Sequence, residues 1–236
     1  METKLKSVLR NPKSKLAFKA LIFAGLLSLV AIGNFSWLVV VFLIVGSPIL
    51  YSRPLFRTVD LIWPLLALIT LALLSLWVLI GSAYWLFAVT YFAILFYLIL
   101  GIKDLAFISR VGWNQVLVLG LAYPAILLFF YYNQEFFWWK SLALFLAMLI
   151  LLRYLIGRRV VAWLMAFMAL EIVWAVGLLP IGFLSSANLA ITFYFVLADL
   201  AFHQYIVGNL QKQRILTDIT IAAILVMLVF AFSRWS

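Results

Sequence analysis

Apolar residues run through this chain in long blocks rather than in the short alternations of an amphipathic soluble fold. A bilayer core about 30 Å thick requires about 20 apolar residues per helix. Nine segments approach that length: 16–33, 36–51, 60–80, 83–101, 115–132, 137–154, 160–181, 187–207 and 215–233. Turn chemistry separates them, with GNFS at 33–36, SRP at 52–54, GS at 81–82, NQ at 133–134, LPIG at 179–182 and GN at 208–209. The pattern predicts an all-α, polytopic transmembrane helical bundle of nine spans with short loops. Segment 36–51 is the shortest, and a re-entrant path there would leave eight. A basic leader, 1–15, precedes a single predicted membrane domain over 16–236.

Composition agrees with the pattern. Charged residues make up 10% of the 236, whereas a soluble domain carries roughly 25%. The outer surface must therefore face lipid. Without cysteine, disulfides, thiolate metal sites and cysteine nucleophiles are excluded.

The net charge of +10 changes meaning once the charges are placed. Six basic residues lie in the first nineteen: Lys4, Lys6, Arg10, Lys13, Lys15 and Lys19. Arg53 and Arg57 follow the second span, Lys103 and Arg110 the fourth, Arg153, Arg158 and Arg159 the sixth, and Lys212 and Arg214 the eighth. Fifteen cations thus fall on one side, against Lys140 and Arg234 on the other. By the positive-inside rule the N-terminus is cytoplasmic and the C-terminus external, in a bacterial or archaeal cytoplasmic membrane. Membrane lipids are the expected partners, with other membrane subunits an alternative, and nucleic acid is not expected because no basic module could fold to read it. The segment YYNQEFFWWK at 131–140 reads as an interfacial aromatic girdle, with Lys140 reaching for water.

Ionisable residues at depth are confined to the last third. Asp60 and Asp104 lie at the basic boundary, where solvated pairing with Arg57 and Lys103 accounts for them. Over 160–233 a polar seam appears. Glu171 falls near the middle of span seven and Asp199 about halfway along span eight, with His203 one turn further on. At 100° per residue, Asn188, Thr192, Asp199 and His203 occupy a 60° arc. Trp174 shares a face with Glu171, so its indole N–H is placed to serve that carboxylate. Asp218, near the start of span nine, is a second-rank member, explained at least as well by the helix dipole.

A charge at a helix centre costs roughly 2.5–3.5 kcal/mol on insertion scales, so an intramembrane acid is a functional hypothesis by default. Glu171, Asp199, His203 and Trp174 form the expected proton, cation or substrate site, and Asn188 and Thr192 line its approach. A purely structural seam of interhelical hydrogen bonds is the competing account. One histidine makes zinc improbable. No phosphate loop, HExxH or GxSxG occurs, so neither metal nor other cofactor is expected and no catalytic residue is assigned. These features point to a small permease or channel for a small solute or lipid-like substrate, linked to protons or cations. The alternatives are a non-catalytic subunit or scaffold of a membrane complex and, behind both, an intramembrane lipid-modifying enzyme.

Overall fold

The computed structural model describes residues 12–52, 61–79, 84–104, 110–131, 137–208 and 212–233. The described residues form nine α-helices: α1 Pro12–Ile32, α2 Trp37–Ser52, α3 Ile62–Leu79, α4 Trp85–Lys103, α5 Arg110–Tyr131, α6 Phe137–Ile156, α7 Arg159–Gly177, α8 Phe183–Phe202 and α9 Lys212–Phe232. Eight are long and apolar enough to cross a membrane, and the shorter one is α2. At about 1.5 Å per residue its 16 residues reach about 24 Å, less than a hydrocarbon core. This is a polytopic, helical-bundle architecture of the kind that fits an integral membrane protein, because a helix satisfies its own backbone where no water can. Leader residues 1–11, Arg53, Arg57, Asp60, Arg234 and the turns at 53–54, 81–82 and 133–134 lie outside the described residues.

By packing, the chain divides into two compact units, Met1–Leu117 and Val118–Ser236, with the boundary inside α5. In the first unit α1 packs along α4 and against α2, and α3 also packs on α4. Phe23 of α1 stacks on Phe96 of α4 with ring centroids 4.3 Å apart. The α1–α2 turn puts Asn34 and Phe35 at φ 46° and 57°, a left-handed conformation that is unusual for a bulky residue. The Phe35 ring lies edge-on to Trp77 at 5.3 Å, which anchors this strained position.

At the other end of the first unit, Lys103 and Asp104 correct the expectation of solvated pairing. Both are buried. The Lys103 ammonium donates to the Tyr51 carbonyl and lies 3.7 Å above the Tyr51 ring, while the Tyr51 hydroxyl accepts from the Leu61 N–H at 2.7 Å. Neither Asp104 carboxylate oxygen has a hydrogen-bond partner among the described residues. Burial therefore pushes the Asp104 carboxyl above its ordinary range, and the charges of Lys19 and Lys103 only partly offset that.

In the second unit α6 packs on α7, α7 on α8, and α8 on α9, with α6 also reaching α8. Gly157, at φ +73°, ends α6, and its N–H bonds the Arg153 carbonyl at 3.0 Å, a left-handed cap that glycine adopts without steric cost. Helix α9 packs on α8 and carries many outward-facing apolar side chains, including Leu216, Ile224 and Phe232.

Candidate functional site

The polar stripe of α8 forms as the 100° spacing predicts, and each member has its own local partner. At the end nearer α7, the Tyr123 hydroxyl of α5 donates to Asn188 Oδ1 at 3.0 Å. One turn on, the Thr192 hydroxyl donates to the Asn188 backbone carbonyl at 2.8 Å, and Thr192 is buried. Of these two residues, expected to line an approach, Asn188 bonds across to α5 and Thr192 bonds back to its own helix.

Further along, His203 Nδ1 lies 3.2 Å from Asp199 Oδ2, with the two side chains 12% and 7% exposed. The same nitrogen lies 2.9 Å from the Asp199 backbone carbonyl. A carbonyl oxygen only accepts, so the hydrogen is assigned to Nδ1 from its neighbours.

The backbone changes character at this pair. From His203 to Val207 the helix widens into a π-helical turn, closed by Gly208 at φ +71°, whose N–H bonds the His203 carbonyl at 3.0 Å. Single π-turns are rare and occur frequently at functional sites. Tyr205 in this turn lies under the Arg158 guanidinium, 5.6 Å from its ring centroid, tying the turn to the α6–α7 connection.

Glu171 stands apart from the pair. It is exposed on α7, and among the described residues no three His, Cys, Asp or Glu side chains gather closely enough to hold a metal ion. The expected proximity rested on spans ending at 181 and starting at 187. Instead α7 ends at Gly177 and α8 begins at Phe183. Counted from the turn between them, Glu171 is about 9 Å along its helix and Asp199 about 24 Å along the other. Pro180 and Gly182 cause the shift: proline has no N–H for a continuing helix, and Gly182 takes the extended N-cap conformation, φ −61° and ψ 153°.

Trp174 also differs from expectation. Its indole N–H donates to the Ser141 hydroxyl of α6 at 3.0 Å instead of to Glu171. Asp218 is buried and belongs to the second turn of α9, because that helix starts at Lys212. The dipole effect falls off within the first turn, so it does not account for Asp218.

Two of the cavities among the described residues of this unit border helices of the site. One, about 440 Å³, lies among α7, α8 and α9 and has apolar walls that include Ile172, Leu197 and Ile219. The other, about 620 Å³, lies at the end opposite the Arg153–Arg159 connection, where Lys140 and Trp174 line it. The ammonium of Lys140, expected to reach for water, donates to the Phe129 carbonyl at 3.2 Å. Sequence spacing signalled the Asp199–His203 pair. Tyr123, Ser141 and this cavity arise from contacts between helices and had no counterpart in the pattern. Comparison with known protein families, curated proteins and solved structures gave no match.

Proposed function

We propose that this protein is a small permease that couples movement of a small solute or lipid-like substrate to a proton carried by Asp199 and His203. The observation that carries this role is the 3.2 Å contact between His203 Nδ1 and Asp199 Oδ2 in a largely buried setting. Imidazole is the side chain whose ordinary titration lies nearest neutral pH, and a neighbouring carboxylate makes it a natural proton relay. The π-turn supports the same role, since a locally widened helix is a place where backbone hydrogen bonds can rearrange. The N-terminus, on the side of the basic loops, is cytoplasmic in this proposal. Proteoliposomes loaded with a pH-sensitive dye provide the test. The wild-type chain moves protons down an imposed gradient when the transported solute is supplied from a solute panel, and Asp199→Asn abolishes that movement while remaining folded. Proton movement unchanged in Asp199→Asn ends the proposal.

A subunit role draws support from a different residue. Glu171 is exposed on a face that also exposes Leu164, Phe167 and Met168. An acid among lipid-facing side chains is costly unless something polar covers it. A partner helix would supply such cover. Crosslinking from position 171 to another membrane protein supports this alternative, whereas a protein purified alone with normal proton movement opposes it.

A further inference from the structure

We infer that the cavity at the Lys140 end of the second unit binds an anionic amphiphile, a phosphate or carboxylate headgroup on a hydrocarbon tail. The proposal stands independently of the proton pair, which does not line this cavity. Its volume of about 620 Å³ falls within the range of small-molecule sites, which are mostly apolar with a few placed polar groups. The cavity has that composition: Phe129, Phe137 and Trp174 supply aromatic walls, Ala175 a small one, and Lys140 and Ser186 polar groups.

Each wall is held in place. Phe137 lies 5.5 Å from Trp174 between ring centroids and 6.3 Å from Phe129. The Trp174 indole is fixed by its bond to Ser141, buried in α6. Lys140 Nζ lies 4.9 Å from the Phe129 ring centroid while donating to that residue's carbonyl. The cation is thereby drawn back over the aromatic wall. An ammonium carries three donors and is a compact point charge suited to a phosphate or carboxylate, while methylenes find apolar contact on the rings beside it. Position in the fold agrees, since Lys140 is in the first turn of α6, the level at which lipid headgroups meet a spanning helix.

The two sources of such a ligand, a bilayer lipid and a free fatty acid, are separated by the probes. The full chain is placed in nanodiscs of phosphatidylglycerol mixed with phosphatidylcholine, or of phosphatidylcholine with added dodecanoate. Native mass spectrometry then reads the retained molecules. The expected result is about fivefold preferential retention of phosphatidylglycerol over phosphatidylcholine, the preference one lysine confers for an anionic headgroup. Lys140→Gln loses it and Lys140→Arg keeps it. Retention of dodecanoate with the same dependence on Lys140 identifies the free acid as the source. Ala175→Phe, which keeps the cation and fills the cavity, also abolishes retention, so the proposal remains testable should Lys140→Gln fail to fold. Equal retention of both phospholipids together with no retained dodecanoate, or retention undiminished in both Lys140→Gln and Ala175→Phe, overturns it.

Discussion

The imidazole of His203 and the carboxylate of Asp199 meet 3.2 Å apart on successive turns of one helical segment, at the point where α8 passes into a π-helical turn. Because His203 is the sole histidine, its ring nitrogens can be followed by NMR of histidine-labelled protein without assignment. The neutral ring is expected to carry its hydrogen on Nδ1, held there by the Asp199 backbone carbonyl. Asp199→Asn keeps that carbonyl, so the tautomer should persist while proton movement is lost. A neutral ring protonated on Nε2 would contradict this hydrogen-bond assignment.

The Trp174–Ser141 bond joins α7 to α6 across 3.0 Å. A double-mutant cycle of Trp174→Phe and Ser141→Ala, read from unfolding in detergent, should give a coupling of about 0.6 kcal/mol, typical of interhelical hydrogen bonds in membranes. Coupling indistinguishable from zero would mean the two groups find equal partners elsewhere.

Two glycines should respond to alanine in opposite directions. Gly25 lies within α1 and an added Cβ meets nothing within 4 Å, so Gly25→Ala should stabilise by about 0.5–1 kcal/mol through helix propensity. Gly208 is equally open but has φ +71°, so Gly208→Ala should destabilise by about 1 kcal/mol from backbone strain alone. Detergent-denaturant titrations of both variants measure the contrast, and a shift of the same sign in both would refute it.

Asp104 provides the pH test. Burial raises its folded-state carboxyl pKa despite Lys19 and Lys103. The folded chain then holds this proton more tightly than the unfolded chain, so this group's contribution to stability grows as pH falls through the raised value. It levels off below the ordinary carboxylate pKa of about 3.9. Removing the ionisable group with Asp104→Asn should therefore raise the melting temperature at pH 8, with the gain shrinking towards pH 4. A gain constant with pH would show that the carboxyl is not desolvated in the folded protein.

Much of the architecture was legible before any coordinates. Segment 137–154 became α6, Phe137–Ile156, and segment 16–33 became α1, Pro12–Ile32, because hydrocarbon thickness and internal hydrogen bonding leave an apolar run little choice. The α8 stripe was legible for a similar reason, since helical geometry fixes the angle between positions 188, 192, 199 and 203 whatever surrounds them. Element ends were less secure. The region between 177 and 187 needed only a few residues of reassignment to separate Glu171 from Asp199, because proline and glycine place a turn locally while apolar character continues across it.

The amino-acid order by itself determined a chain of membrane-length helices, the clustering of fifteen cations at the N-terminus and on alternate connections, and a carboxylate and an imidazole one turn apart. Those features follow from solvent and from local geometry. Only the tertiary structure decided that Glu171 faces outward, that Tyr123 donates to Asn188 of α8 while Ser141 accepts from Trp174 of α7, and that Lys140 folds back onto Phe129 beside a cavity. Each depends on which helix faces pack together, and in a chain apolar on nearly every face the hydrophobic pattern carries little information about that choice.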